Sequence, residues 1–359
     1  MKILLTITGL SMGGAEHVVV NLADALSARG HQIKIAYLTG EALVLPKNTS
    51  IDVIAIGMKG KAGALSAYFK LRKLVKEFKP DVVHSHMVHA NLLSRLLRLT
   101  VKIPKLVCTA HNTNEGGQLR MLAYRITDKL ADISTNVSQE AVDIFIAKGA
   151  AKPGRMLALP NGIDVNIFTF NPDARAALRA ELGMTGQKMI LAVGRLDTQK
   201  DYPNLLKSVQ LLAQQRDDFK VFIAGDGPLK SELNLQVKAL QVEGFVEFLG
   251  IRRDVPALVS ATDLFVLPSA WEGFGLVVAE AMACERVVVA TDCGGVKEVV
   301  GSNGFLVKPR DSILLTESLK NALDLSEEAG SAIGRQARRR IIDKFSLDAN
   351  LNQFLKLYA

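Results

Sequence analysis

The chain of 359 residues is long for one hydrophobic core and suits two α/β domains of ordinary size. Hydrophobic residues make up 48% and charged residues 22%, which is typical of a globular protein, and no run of about 18 apolar residues predicts a membrane span. The apolar run at Met1–Thr8 is too short for a signal peptide. The three cysteines are scattered without metal-like spacing, so we expect a cytoplasmic protein in a reducing compartment.

The net charge of +8 is concentrated in one half of the chain. Residues 1–165 hold 21 Lys and Arg against 12 Asp and Glu, whereas the remainder holds 23 against 24. Such asymmetry indicates that the first domain faces a membrane surface, a phosphorylated acceptor or nucleic acid. The basic residues lie in a predicted helix over 64–79 and in a second cluster of Arg95, Arg98, Lys102 and Lys105. They fit docking on anionic lipid headgroups, or an ordinary packed helix with a solvated lysine face.

Short β-branched runs alternate with amphipathic segments in both halves, which predicts parallel sheets covered on both faces. The predicted strands are 2–8, 31–38, 51–56, 81–84, 105–110, 132–137, 155–159, 188–193, 219–224, 245–248, 263–267, 287–290 and 304–307. The predicted helices of the first half are 15–29, 64–79, 88–99, 118–130 and 138–147. A polar linker over 164–187 separates the halves and suits a hinge. We therefore predict domains at 1–165 and 166–345 and a final helix at 346–359 that returns towards the first domain.

The first half carries a glycine turn and several histidines at predicted strand ends. The turn Gly9–Glu16 opens a helix, where backbone N–H groups approach a phosphate, although a plain turn explains it equally well. It lacks the spacing G-x-G-x-x-G, which disfavours a nicotinamide cofactor. His111 follows the strand 105–110 and can contact a sugar, but a lone histidine is more often a core residue. His84, His86 and His89 match no zinc pattern, so we interpret the first two as strand-end residues and predict no metal.

In the second half, basic residues and glycines follow predicted strands. Gly194–Leu196 contains Arg195, and Lys200 follows five residues later. Arg offers a two-pronged donor and Lys a point charge, a pairing suited to a diphosphate, whereas either residue alone also fits a solvated loop. Gly225–Pro228 closes another strand and is either a ligand-lining or a simple turn.

The segment Pro268–Ala283 is the most informative part of the sequence. It places Glu272 in a glycine-rich turn and Glu280 in the second turn of a mostly apolar helix. A carboxylate in such surroundings costs several kcal/mol unless it is bonded, so ribose hydroxyls or a structural ion pair must satisfy Glu280. A further glycine turn, Gly294–Gly295, follows the next strand.

Taken together, these motifs resemble the family 4 glycosyltransferases, and the resemblance covers nearly the whole chain in order. The matching segments are Gly13–Glu16, His111, Pro160–Asp164, Gly194–Leu196, Lys200, Gly225–Pro228, Glu272–Gly275, Glu280 and Gly294–Gly295. The resemblance implies the GT-B fold, in which two Rossmann-like domains face each other across a cleft. It also implies a retaining hexosyltransferase of bacterial surface-polysaccharide assembly, acting at the inner face of the cytoplasmic membrane.

By the resemblance, Arg195 and Lys200 would bind the donor diphosphate and stabilise the leaving nucleotide. Glu272 would contact the transferred sugar, and His111 would lie against the sugar near the reacting carbon. Other residues would bind the donor, with Glu280 on the ribose. These are Gly13, Gly14, Asn161, Gly225, Asp226, Ile251, Arg252, Phe274, Gly275, Leu276 and Glu280.

The chemistry needs no cofactor, because fixed cations and helix N-termini can stabilise a leaving diphosphate without a metal. The chain contains no Asp-x-Asp, and we expect metal-independent transfer from a nucleotide sugar to a glycan or polyprenyl-diphosphate-linked acceptor. The resemblance to bacterial members of the family favours UDP as the donor nucleotide, although no residue of the sequence decides it. We expect acceptor choice to lie in the loops 40–50, 57–64 and 112–120.

Two other interpretations fit parts of the sequence. A nucleotide-sugar epimerase or hydrolase could use the same fold and would form product without an acceptor. A basic nucleic-acid-binding protein is suggested only by the sequence pI of about 9.3, and we disfavour it because the chain has 6% aromatic residues and no nucleic-acid motif.

Overall fold

The computed structural model describes residues 1–60, 62–113 and 115–359. It divides into two compact units, which we call the first unit (Met1–Gly162 with Leu347–Ala359) and the second unit (Ile163–Ser346). Lys61 and Asn114 lie outside the described residues, and with them part of two predicted acceptor loops, 57–64 and 112–120.

The first unit contains a parallel sheet of seven strands. They are β1 (Lys2–Gly9), β2 (Gln32–Thr39), β3 (Asp52–Ala55), β4 (Val82–His86), β5 (Lys105–Ala110), β6 (Ile133–Asn136) and β7 (Met156–Ala158). The order across the sheet is β3-β2-β1-β4-β5-β6-β7. Successive strands are added on one side of β1 up to β3 and on its other side from β4 onwards. In open parallel sheets ligands bind beyond the strand ends at such a reversal.

Helices cover both faces of this sheet. They are α1 (Gly14–Ala28), α2 (Ala64–Phe78), α3 (Val88–Leu97), α4 (Gln118–Thr127) and α5 (Gln139–Ala147), with a 3-10 turn at Asp128–Leu130. Along β1, Ile3, Leu5 and Ile7 enter one buried cluster with α1, whereas Leu4 enters another with α2 and α3. The continuous apolar run of β1 follows from this burial on both faces.

The second unit contains a parallel sheet of six strands. They are β8 (Lys188–Val193), β9 (Phe219–Ala224), β10 (Val246–Gly250), β11 (Leu264–Leu267), β12 (Val287–Thr291) and β13 (Phe305–Val307). The order is β10-β9-β8-β11-β12-β13, so the reversal lies between β8 and β11. The helices are α6 (Pro172–Glu181), α7 (Tyr202–Ala213), α8 (Lys230–Ala239), α9 (Val255–Ala261), α10 (Leu276–Ala283), α11 (Val296–Val300), α12 (Ser312–Leu323) and α13 (Glu327–Phe345).

The predicted polar linker over 164–187 is wrong, because α6 occupies its middle. Asn171 caps the helix by accepting a hydrogen bond from the Ala174 amide at 2.9 Å. Arg175 and Arg179 both form ion pairs with Asp263, which fastens α6 to the second unit. The pattern analysis missed α6 because its packing uses arginines, and Leu178 is its one buried residue.

The last helix, α14 (Leu347–Tyr358), belongs to the first unit. Leu351, Phe354 and Tyr358 are buried in the same cluster as α1. Asn350 donates a hydrogen bond to the Pro160 carbonyl, and Arg29 pairs with Asp348 at 3.0 Å. Among the described residues, no helix combines the length and the apolar character that crossing a bilayer requires.

Candidate active site

In the second unit, two loops that follow neighbouring strands pack backbone against backbone. A Cβ atom at Gly225 would collide with the Gly194 carbonyl oxygen, and one at Gly227 would collide with that of Leu196. The Leu196 amide donates to the Asp226 carbonyl at 3.0 Å. Glycine is therefore required here by close approach, and the two loops form one surface at the end of the sheet.

An ion pair lies beside these loops. Lys200 Nζ is 2.6 Å from Glu272 Oε1, and both side chains are largely buried. Ser269 Oγ donates to the same carboxylate oxygen at 2.8 Å, and Gln199 Nε2 donates to the other at 3.4 Å. The structure thus brings together two of the predicted catalytic residues. Their partners Ser269 and Gln199 were not predicted, although Ser269 is a polar residue shortly after a buried strand.

Glycines also shape the turn that carries Glu272. A Cβ atom at Gly294 would collide with the Glu272 carbonyl oxygen, and one at Gly275 would lie 2.8 Å from Val296 Cγ2. Gly275 has φ +83° and stands at the N-terminus of α10, where no side chain caps the helix. Phe274 is buried edge-on against Phe345, so its backbone rather than its ring can meet a ligand. Leu276, the first residue of α10, is partly buried.

Glu280 lies one turn further along α10 and is partly buried. Loss of water raises the pKa of its carboxyl to about 8, against an opposing effect of Lys200. In the part of the chain that the structure describes, its carboxylate has no hydrogen-bond or ion-pair partner. A ligand with hydroxyl groups would supply the missing hydrogen bonds.

The other predicted donor residues of the second unit lie in different surroundings. The Arg195 side chain is 68% exposed, with Asp197 at 3.7 Å. Asp226 accepts from the Gly227 amide and pairs with Lys230 at 2.8 Å.

Ile251 and Arg252, which by the resemblance would flank the base of the donor, follow β10 directly. Ile251 is 61% exposed. Arg252 bonds to Asp254 and lies 3.1 Å from Glu181, so two carboxylates already balance its charge.

In the first unit, the predicted glycine turn begins α1 at the end of β1. Gly13 is the N-terminal cap residue, and Gly14 is the first helical residue. The carboxylate of Glu16 turns back onto the turn and accepts a hydrogen bond from Ser11 Oγ at 3.1 Å. A Cβ atom at Gly13 would lie 2.5 Å from Glu16 Oε2, so the glycine makes room for this carboxylate.

His111 follows β5 and contacts a histidine of the neighbouring strand. Its Nε2 lies 3.0 Å from Nδ1 of His86, the last residue of β4. His84, predicted at a strand end, lies instead inside β4 and is fully buried between Tyr358 and Thr109. The described residues contain no group of three His, Cys, Asp or Glu side chains suited to a metal.

Asn161 is a buried residue after β7, next to the contact of that segment with α14. A Cβ atom at the following Gly162 would lie 2.8 Å from Leu347 Cα. The structure thus places Asn161 at the base of the last helix.

The prediction that Arg95 belongs to a basic surface cluster is wrong, because this residue is only 1% exposed. Its guanidinium donates to the Tyr124 carbonyl and to Ser134 Oγ at 3.0 and 2.9 Å. It also lies 5.0 Å from the Tyr124 ring centre, so Arg95 is a structural residue. Arg98 is tied to Asp132 at 2.8 Å.

A cavity of about 460 Å³ opens beside α4 in the first unit. Met121 and Leu122 provide apolar walls, and Arg125 and Lys148 add positive charge. The predicted acceptor loop 112–120 ends before Met121, Leu122 and Arg125. The sequence signal that could have indicated this cavity is the presence of apolar residues on more than one face of α4. Two of them, Leu119 and Ile126, are 83% and 71% exposed.

Two family models match the chain: "Glycosyltransferase Family 4" over residues 12–167 and "Glycosyl transferases group 1" over residues 174–340. The two parallel α/β units agree with the GT-B fold of these families. The chain belongs to the family 4 glycosyltransferases, and it is an enzyme of the transferase class.

Relatives and a solved structure agree with this placement. A Campylobacter jejuni N-acetylgalactosaminyltransferase that acts on an undecaprenol-diphosphate-linked saccharide is 27% identical, over 100% of this chain and 98% of its own. An Escherichia coli UDP-Gal:GlcNAc-diphosphoundecaprenol galactosyltransferase is 24% identical, over 82% and 79%. The crystal structure of Anabaena HepE with UDP and glucose is 25% identical, covers 99% and 98% of the two chains, and has a TM-score of 0.88.

Proposed function

We propose that the protein transfers a hexose or N-acetylhexosamine from a UDP-sugar to a lipid-linked glycan, with retention of configuration and without a metal. The observation that carries the proposal is the buried Lys200–Glu272 pair beside the unpartnered carboxylate of Glu280. Together with the glycine loops, these groups match the chemistry of a sugar diphosphate. The UDP in the HepE structure and the UDP-Gal of the E. coli relative support the choice of nucleotide.

Breaking the glycosyl–phosphate bond leaves negative charge on the diphosphate. Lys200, Arg195 and the uncapped N-terminus of α10 provide positive charge to stabilise it. Without a donor, Lys200 is neutralised by Glu272. A bound diphosphate would take over Lys200, and sugar hydroxyls would take over Glu272.

The two carboxylates have separate roles in this proposal. Glu272 Oε1 accepts from both Lys200 and Ser269, which suits a group that binds hydroxyls rather than one that attacks carbon. Glu280 accepts from the ribose. Retention then follows from attack on the face that the diphosphate leaves, with a donor phosphate oxygen taking the proton of the acceptor.

For the first unit we propose acceptor binding, with Gly13, Gly14 and His111 acting near the diphosphate and the sugar. The cavity beside α4 joins apolar walls to Arg125 and Lys148, a combination suited to a polyprenyl diphosphate. The undecaprenol-linked substrates in the names of two relatives support this acceptor class.

We further propose peripheral contact with an anionic membrane at the inner face of the cytoplasmic membrane. On α2, the residues Ala67, Leu71 and Val75 pack inward, whereas Leu65 and Phe69 are 68% and 57% exposed beside lysines. Flotation with phosphatidylglycerol vesicles tests this. Binding lost in Leu65→Asp/Phe69→Asp supports it, and wild-type protein that stays unbound at moderate salt contradicts it.

The donor site is tested by thermal shift against UDP, GDP and ADP. A nucleotide at 100 times its dissociation constant stabilises the fold by about 2.7 kcal/mol. We expect a shift with UDP that is lost in Glu280→Ala and Arg195→Ala. The exposed matched controls Glu328→Ala and Arg335→Ala should keep it. A shift with none of the nucleotides would contradict the proposed site.

Transfer itself is tested with UDP-sugars and an undecaprenyl-diphosphate-linked acceptor, by following the anomeric proton of the product by NMR. We expect an unchanged anomeric configuration and a rate that is insensitive to EDTA. Product that contains the sugar without any acceptor would favour an epimerase or hydrolase instead.

A further inference from the structure

Ser269 lies between the end of β11 and Glu272, and it is fully buried. Its hydroxyl oxygen is 2.8 Å from Glu272 Oε1, the oxygen that also contacts Lys200. A carboxylate paired with an ammonium group can only accept, so the hydroxyl must donate and the direction of this hydrogen bond is fixed. A hydroxyl has one hydrogen to give, and Ser269 gives it to Glu272.

Lys200 and Ser269 bond to the same carboxylate oxygen but differ in what else can reach them. The Lys200 side chain keeps 16% of its surface exposed, and its ammonium group has three hydrogens, so it can turn towards an incoming anion. Ser269 has no exposed surface, so neither water nor a ligand competes for its hydroxyl. Lys200 is therefore the partner that a ligand can exchange, and Ser269 is the partner that stays.

The backbone around Ser269 is fixed from two sides. Thr291, the last residue of β12 and itself fully buried, donates from its hydroxyl to the Ser269 carbonyl at 2.6 Å. The following residue, Ala270, donates its amide to the Gln199 carbonyl at 2.8 Å. Both contacts are made by neutral groups, so the support of Ser269 does not depend on the charge of Lys200.

We propose that Ser269 is a positioning residue, which holds the carboxylate of Glu272 in place after a bound diphosphate has drawn Lys200 away. A neutral donor suits this task, because it orients the carboxylate with one hydrogen bond and leaves the negative charge and further lone pairs for sugar hydroxyls. Gln199 Nε2, at 3.4 Å from the other carboxylate oxygen, is a weaker hold. The inference rests on the proposed function, in which Lys200 binds the diphosphate and Glu272 binds the transferred sugar.

Calorimetry of Ser269→Ala separates positioning from a general loss of the donor site. UDP carries no sugar for Glu272 to contact, so its affinity should equal that for the wild type. The sugar nucleotides to compare are UDP-glucose, UDP-galactose and their N-acetylamino counterparts. The one that the wild type binds most tightly should bind Ser269→Ala about 10-fold more weakly, as loss of a hydrogen bond to a charged group predicts. An equal loss for UDP and the UDP-sugar, or no loss for either, would overturn the proposal.

Kinetics give a second test. We expect Ser269→Ala to lower kcat by roughly 10-fold to 100-fold, because a misplaced contact to the reacting sugar costs rate. Ser269→Cys keeps a weaker donor in nearly the same volume and should recover part of the rate. Ser260→Ala is the matched control, since Ser260 is a fully buried serine of α9 that donates to the Pro256 carbonyl at 2.9 Å. A normal rate in Ser269→Ala would contradict the positioning role.

A crystal structure of the complex with UDP tests the geometry and needs no catalytic activity. We expect Lys200 Nζ to lie on a phosphate oxygen and Ser269 Oγ to remain at hydrogen-bond distance from Glu272 Oε1. A complex in which the Glu272 carboxylate has turned away from Ser269 would rule out the proposed hold.

The outcomes separate this inference from the function on which it rests. A normal rate in Ser269→Ala, with Glu272→Gln inactive, overturns the positioning role and leaves the proposed function intact. Full activity in Glu272→Gln, or a Lys200 that stays away from the phosphates of UDP, contradicts the proposed function, and the UDP complex then decides whether Ser269 holds the carboxylate. Thermal midpoints of the variants identify any loss that comes from unfolding.

Discussion

Both units place polar side chains where a strand ends beside the reversal of its sheet, but they hold them by different forces. In the second unit, the carboxylate of Glu272 is balanced by Lys200 at 2.6 Å. In the first unit, burial lowers the pKa values of His86 and His111, and the two neutral rings meet at 3.0 Å. A charged pair can exchange one counter-ion for another, whereas neutral rings depend on the direction of a hydrogen bond. The two units therefore differ in whether charge or a hydrogen bond between neutral groups holds their polar side chains in place.

The largest effect should come from removing the cation of the charged pair. Lys200→Met takes away the cation that we propose stabilises the leaving diphosphate, so we expect the transfer rate to fall by about 10²-fold to 10³-fold. The same change leaves Glu272 buried without its counter-ion and should destabilise the fold by roughly 3 kcal/mol.

The double variant Lys200→Met/Glu272→Gln separates these two effects. It removes both charges, so urea denaturation should show stability recovered while the rate stays low. A single variant with a nearly normal rate would show that the charged pair has no part in catalysis.

The next largest effect should come from Arg95, a deeply buried cation of the first unit. Neutral oxygens provide most of its hydrogen-bond acceptors. Arg95 donates to Tyr124, Thr127 and Ser134, and its distance to Asp128 is 4.0 Å. Arg95→Met should lower the free energy of unfolding by roughly 3 kcal/mol, because several acceptors lose a buried donor.

Urea unfolding followed by circular dichroism measures this loss. Lys102→Met provides an exposed control from the same predicted cluster and should stay within about 0.5 kcal/mol of wild type. Equal losses in the two variants would mean that Arg95 contributes no more than a surface lysine.

The sequence predicted the sheets well because each buried parallel strand is a short apolar run with its own ends. The ranges 188–193 and 219–224 agree with β8 and β9 residue for residue. Helix α6 was missed because arginines, rather than an apolar stripe, fasten it. Partners that come from distant positions were also missed. Arg95 was predicted on the surface, since nothing in the sequence near it indicates Tyr124 or Ser134.

The same limit applied to the site. Lys200 and Glu272 were each predicted from a motif, but their contact joins loops that lie 72 residues apart. The contact of His86 with His111 depends on the register between β4 and β5, which apolar patterning does not specify.

A smaller effect should come from Glu280, whose ionisation makes the stability of the fold depend on pH. Because burial raises the pKa of Glu280 to about 8 from an ordinary value near 4.5, the folded protein holds a proton there that the unfolded chain has lost. Stability from this group is therefore present at low pH and is lost as pH rises towards and through about 8. Glu280→Gln cannot ionise, so its melting temperature should gain on that of wild type between about pH 5 and about pH 9.

Nucleotide binding should respond in the opposite sense. If the ionised carboxylate accepts from ribose, UDP affinity of the wild type should rise with pH up to about 8, and Glu280→Gln should bind weakly at every pH. Calorimetry in buffers of different ionisation enthalpy measures the proton released. A wild-type affinity that is independent of pH would mean that Glu280 does not contact the nucleotide.

The smallest effect should come from the hydrogen bond between Tyr358 and His84, two uncharged side chains of the first unit. Tyr358→Phe keeps the buried ring and removes the hydroxyl that lies 2.7 Å from His84 Nδ1, so we expect a loss of about 1 kcal/mol in unfolding free energy. Tyr68→Phe removes a hydroxyl bonded to Thr100 on an exposed part of α2 and serves as the control. His84 would keep its bond to Thr109 in Tyr358→Phe, so the loss should be limited to one hydrogen bond. Equal losses in Tyr358→Phe and Tyr68→Phe would mean that the buried hydroxyl contributes no more than the exposed one.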